Sequence, residues 1–188
     1  VWRMRQPDDI SGVLEALRDN FKALGIPYDY CSINLVRESD VPPRIIIYNL
    51  KREEPWKRHE FGFEESMSFL NLWRRGTVAH RPDVQHHDPF GERDTFKVPI
   101  RALVDVPFPQ GTLAMSSLTP NVFSEEHLHV LEQMGRLLTE GFGRMDDLES
   151  LDNRNDQLER EVAERRQAEL GLVAARDEAE AANRAKST

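Results

Sequence analysis

The sequence predicts an α+β domain, an antiparallel sheet flanked by helices, which continues into one long C-terminal helix. Three observations lead there. All eleven prolines lie at or before Pro120 and all fifteen aromatics at or before Phe142, after which Ala, Leu, Glu, Asp, Arg, Asn and Gln run on with hardly a breaker. Before that break, stretches with helical spacing alternate with short β-branched runs bounded by turn residues. Ser124-Glu125-Glu126 then supplies an N-cap and first-turn acids for a helix that extends to about Lys186.

In chain order, Pro7-Asp8-Asp9 reads as a helix start. Ile10, Val13, Leu14, Leu17, Phe21 and Leu24 form its apolar stripe, and Gly25 and Pro27 end it. Tyr30–Val36 reads as a strand with Cys31, Ile33 and Leu35 on one face, and Arg44–Leu50 as its hairpin partner. His59–Phe63 is a short third strand. Glu64–Arg75 is a helix with Met67, Leu70 and Trp73 inward, ended by Gly76. Thr77–His80 is a brief strand and Arg81–Gly91 a loop. Thr95–Val106 and Gly111–Leu118 are strands joined by a turn at Pro107-Phe108-Pro109-Gln110. Helices from both chain ends would cover one face of the sheet.

Composition narrows the function. The 188 residues carry a net charge of −8, which argues against a nucleic-acid-binding surface. The single cysteine, Cys31, excludes an intrachain disulfide and a Cys-rich zinc site and suits a reducing cytosol. No apolar run approaches the ~20 residues that span a bilayer. A cytoplasmic fragment without membrane contact is expected.

Three local sequences carry a family resemblance: IPYDYCSINLV at the first strand; Gly76-Thr77-Val78 through Arg81-Pro82-Asp83-Val84 to Asp88-Pro89-Phe90; and Lys97-Val98-Pro99-Ile100, Gly111-Thr112-Leu113-Ala114-Met115 and Phe123-Ser124-Glu125-Glu126. In this order they resemble GAF sensor domains over roughly Asp8 to Phe142. The resemblance implies a six-stranded antiparallel sheet with a ligand pocket between the sheet and the irregular segments on one face. The tail around Leu158–Arg166 resembles the signalling helices that join bacterial sensor domains to outputs. Ala181–Ser187 resembles the lead-in to the dimerisation helix of sensor histidine kinases, whose phosphoacceptor motif is not in this sequence. The expected organisation is a linker over 1–7, a GAF-like sensor over 8–142 and a coiled-coil signalling helix over 143–188 that feeds an output domain beyond the chain.

Candidate site residues follow from the resemblance. Tyr48, Phe61, Phe63, Trp73, Arg75, His80, Arg93 and Phe96 lie in or near the segments that would border the pocket, with Arg75, Arg93 and Arg101 able to meet an anionic ligand. The Asn-Lys-Phe-Asp-Glu set of cyclic-nucleotide-binding GAF domains is incomplete. Cys31 reads as a small buried hydrophobe without a base to activate it, and no nucleophile–base pair or paired-carboxylate site stands out. His86-His87-Asp88 reads as a polar loop rather than a metal site. No cofactor and no catalysis by this fragment are expected.

The long helix carries the partner expectation. Leu148, Leu151, Asn155, Leu158 and Val162 occupy a, d, a, d and a of a heptad, and Asn155 at an a position favours an in-register parallel dimer. Leu138, Phe142 and Met145 upstream and Leu172 downstream extend the expected interface in looser phase. The chain is thus expected to be the sensor and homodimerisation module of a two-component histidine kinase, with a small-molecule ligand and downstream kinase domains as partners. A cofactor-binding module (haem, metal or flavin), or a ligand-free scaffold feeding another output such as a cyclase, is the alternative.

Overall fold

The structure, a computed structural model, describes the backbone of residues 10–38, 40, 43–61 and 63–186, and their side chains except at 61–66, 68, 95, 149, 174 and 177–186. The expected linker over 1–7 and the Pro7-Asp8-Asp9 helix start lie outside the described residues. The elements are α1 (Ile10–Ala23), β1 (Tyr30–Arg37), β2 (Arg44–Lys51), β3 (Lys57–Phe61), α2 (Phe63–Arg75), β4 (Ala79–Arg81), β5 (Ala102–Phe108), β6 (Gly111–Ser117) and α3 (Glu125–Lys186). The strands form one six-stranded sheet in the order β3-β2-β1-β6-β5-β4. Every neighbouring pair is antiparallel. Chain contacts divide the molecule into two units, Val1–Met145 and Asp146–Thr188.

Strand alternation decides what each face of the sheet carries. Cys31, Ile33 and Leu35 of β1 pair with Leu50, Tyr48 and Ile46 of β2, and with Met115, Leu113 and Gly111 of β6. With Val104, Val106 and Phe108 of β5 they make the helix face. There they form the main core with Val13, Leu14, Leu17 and Phe21 of α1 and Leu131, Met134, Leu138 and Phe142 of α3. The Phe108 and Phe142 rings stack with centroids 5.5 Å apart. α3 approaches β5 closely at Gly135, where an added Cβ would lie 2.6 Å from Val106 Cγ1. Ser124 caps the helix by accepting the His127 N–H at 3.2 Å, while His127 Nδ1 accepts the Ser124 N–H at 3.2 Å.

The opposite face packs on α2 and the irregular chain from Pro82 to Arg101. Ile45 and Ile47 meet Leu70, Phe69, Trp73 and Val36. Leu103 meets Val84, Ile100, Phe96 and Tyr30. Trp73 Nε1–H donates to the Phe108 carbonyl oxygen at 2.9 Å.

Several sequence expectations need correction. β5 begins at Ala102, not Thr95: Arg93–Thr95 is a single 3₁₀ turn, and the residues after it make no strand ladder. Pro107 and Phe108 belong to β5, and only Pro109-Gln110 turn the hairpin. Pro107 is tolerated because β4 ends opposite Asp105, so the missing N–H costs no bond on that side. Met67 is exposed rather than inward. Leu138 and Phe142 are 1% and 2% exposed and belong to the core of their own domain, with half-buried Met145 packed against it.

Gly111 is a point of close approach, since a Cβ there would overlap the backbone carbonyl of Asn34. Gly111→Ala should lower stability by about 2 kcal/mol or more, within the range for overpacked core sites. Gly12→Ala in α1, which meets nothing within 4 Å, should leave stability unchanged or slightly raised. Urea unfolding midpoints of the two variants check this.

Candidate functional site

The face covered by α2 and the Pro82–Arg101 segment holds a buried charge cluster. Arg81 ends β4 and is fully buried. Its Nη1 donates to the Ala79 carbonyl at 2.7 Å. Its Nη2 donates to the Asp105 carboxylate on β5, and its Nε lies 3.1 Å from Glu92 Oε2, an ion pair. Two buried carboxylates thus share one guanidinium. Burial pushes both acids up: Glu92 to about 7, against the pull of Arg81 and with a further push from Asp105, and Asp105 in the same direction.

Phe90 lies over this cluster, its ring centroid 5.2 Å from the Arg81 guanidinium carbon and 4.7 Å from that of Arg75. The loop carrying Phe90 is closed by Asp88, whose carboxylate accepts the N–H groups of Glu92 and Arg93, each at 2.9 Å. Arg101 clamps the other side of the segment with a two-pronged pair to Asp83, at 2.9 and 2.6 Å. That bond holds the Asp83 carboxyl well below the usual range. Between the last turn of α2 and this loop opens a groove of about 520 Å³, lined among the described residues by Asn71, Arg74, Arg75, Pro89 and Phe90. Deeper on the same face, Asn34 Nδ2–H donates to Thr112 Oγ1 at 2.9 Å. Asn34 is 1% exposed and its Oδ1 has no hydrogen-bond partner among the described residues.

The sequence candidates separate on this geometry. Trp73, Arg75 and Phe96 lie on the α2 side of the sheet, Arg75 at the groove itself. Tyr48 and His80 do not: both belong to the helix face, Tyr48 against Trp56 at 5.8 Å and His80 edge-on to Phe123 at 6.4 Å. Each register places the side chain one residue out of phase with the pocket face. Burial, followed by the Arg81 charge, lowers the His80 pKa. Arg93 is exposed and pairs with Asp94 at 3.2 Å, while Arg101 is committed to Asp83. The side chains of Phe61 and Phe63 are outside the described residues. Sequence reasoning missed Arg81, Glu92 and Asp105 as a group. The available signal was Asp105 itself, a lone acid inside the apolar strand Leu103–Phe108 that needs a buried cation.

Cys31 is buried in the core on the helix face, and burial pushes its thiol up to about 12. Among the described residues no three His, Cys, Asp or Glu side chains converge as a metal site would require. No helix among the described residues is long and apolar enough to cross a membrane.

No family model matches the chain. No curated protein matches it either. Solved structures do match. The GAF domain of a two-component sensor histidine kinase from Bacillus halodurans superposes with a TM-score of 0.56 at 15% identity, covering 76% of this chain and 97% of that one. The GAF domain of a phosphoenolpyruvate-protein phosphotransferase from Acinetobacter gives 0.52 at 16%, covering 76% and 85%. The free methionine-R-sulfoxide reductase of Neisseria meningitidis gives 0.52 at 15%, covering 74% and 79%. The six-stranded antiparallel sheet with flanking helices and a long C-terminal helix is therefore a GAF fold.

Glu92 gives a pH signature. The folded protein keeps a proton on this carboxyl that the unfolded chain releases above its ordinary value near 4.5. Its contribution to stability is full below about pH 4.5, declines as pH rises, and is lost once pH passes about 7. Carbon-13 NMR of the glutamate side chains should show one titration midpoint near 7 that disappears in Glu92→Gln. A set of glutamates all titrating near 4.5 would contradict it.

Proposed function

We propose that the chain is the regulatory sensor and dimerisation module of a sensor histidine kinase, passing a signal from the α2 face of its GAF-fold domain into α3. The observation that carries this reading is the position of Phe108. Its backbone carbonyl receives the Trp73 N–H from α2, and its ring stacks on Phe142 of α3. One residue of β5 thus joins the element beside the groove to the helix that leaves the domain. A shift of α2 on binding a ligand would bear on α3 through two contacts.

The continuation of α3 supports association of two copies. From Asp146 onward Leu151, Leu158, Val162 and Leu172 are exposed. Leu137, two heptads before Leu151, is the exposed apolar residue on the domain's share of the helix; it takes the place expected for Leu138. With Asn155 at a, Arg154 and Glu161 fall at g and Glu159 and Arg166 at e. In a parallel, in-register pair each g faces the following e of the other copy, so Arg154 meets Glu159 and Glu161 meets Arg166. One heptad earlier the same rule sets Asp147 against Asp152, so pairing is favoured in the middle and opposed next to the domain. A kinase output, two copies and a cytoplasmic setting belong to this reading together.

Sedimentation equilibrium at micromolar concentration should return a dimer, and Leu151→Glu with Leu158→Glu a folded monomer. Asn155→Leu should raise the melting temperature and admit other oligomers. A monomeric wild-type chain would refute the dimer. Fused in frame to a kinase core, the chain should set its autophosphorylation rate, and Phe142→Leu should change that rate while leaving the dimer intact.

A further inference from the structure

Asn71, Arg74 and Arg75 are spaced three and four residues apart, so they share one side of the last turn of α2. The turn ends at Gly76, whose positive φ of 65° turns the chain away. Across the groove stand Pro89 and Phe90. No carboxylate lines the groove among the described residues, although the chain as a whole carries a charge of −8. The other arginines of this face are engaged: Arg81 with Asp105 and Glu92, Arg101 with Asp83 and Arg93 with Asp94. Arg74 has a long 3.5 Å contact with Glu38, both partners about half exposed. Such a long, solvent-screened pair is weak and yields readily to a better anion.

Arg75 is held differently. Its side chain is exposed, and its guanidinium carbon lies 4.7 Å from the centroid of the Phe90 ring, a cation–π contact. A guanidinium held over an aromatic ring keeps N–H groups available to a ligand and has given up part of its side-chain freedom. Phe90 is itself positioned by the buried Arg81. Arginines in a last helical turn also offset the helix's partial negative charge, but that role would be met anywhere around the axis. Convergence with Asn71 on an aromatic-walled groove of about 520 Å³ is an additional arrangement. That volume lies within the range of small-molecule sites.

We infer that this groove binds a small organic anion by its carboxylate or phosphate group, gripped by the forked N–H groups of Arg74 and Arg75 with the Asn71 amide completing the contact. The inference rests on the sensor reading above and names the chemical class of its ligand. Both oxyanions fit the same planar donors.

The test is a nitrogen-15 NMR titration of the full chain with sodium phosphate and, separately, sodium succinate, at ionic strength held constant with sodium chloride. Saturating shifts, largest at the amides of residues 71–76 and 90–91, are expected with at least one of the two, and the responding salt identifies the oxyanion. Arg74→Gln with Arg75→Gln should weaken binding at least tenfold, and Arg93→Gln should leave it within about twofold. Shifts that rise linearly, that chloride reproduces, or that persist unchanged in the double variant would overturn the proposal. The functional reading fails separately: saturable binding at the groove with no response in the amides of Met134–Phe142 keeps the site and removes the route into α3.

Discussion

Arg81 is the constraint on which the α2 side of the molecule depends. β4 is only three residues long and lies at the edge of the sheet, so its backbone ladder with β5 is weak. The Arg81 side chain supplies what the ladder lacks. It bonds to its own strand, to Asp105 of β5 and to Glu92 of the following segment, and carries the ring of Phe90. A guanidinium out of water is tolerable only because two carboxylates and a carbonyl surround it. Removing it would strand two buried acids, and the segment that walls the groove would lose its anchor.

On the other side of the sheet the controlling interaction is steric. Gly135 lets α3 lie against Val106, and the Phe108–Phe142 stack holds the next two turns. Since β5 presents Asp105 to one face and Val104, Val106 and Phe108 to the other, one strand carries both the charge cluster and the seat of α3. Movement of the segment around Arg81 therefore bears on the same backbone that supports the helix.

The order of elements was legible because short β-branched and apolar runs are bounded by turn residues and the first helix carries a stripe and a stop, Val13-Leu14-Leu17-Phe21 before Gly25. The face of each candidate was harder to read. A strand's two sides differ by one residue, so Tyr48 and His80 look as suited to a pocket as Ile47 or Arg81 until the register is known. Thr95–Arg101 reads as extended because Val98-Pro99-Ile100 is apolar, yet extended chain becomes strand only with a partner. Leu138 and Phe142 continue the apolar spacing of α3, but their partner is the sheet core, while Leu137 beside them faces water. The Arg81 cluster joins residues 24 and 11 positions apart, and no local pattern announces such a meeting.

The two edges of the sheet have a consequence for how the protein behaves when crowded. β3 exposes Lys57, Arg58, His59 and Glu60, with Lys57 and Arg58 tied to Glu54 and Glu60. β4 offers three residues and is followed at once by Pro82. A foreign strand seeking to add itself meets charge at one border and almost no template at the other. The domain is thereby guarded against open-ended cross-strand growth, the route to fibrous deposits.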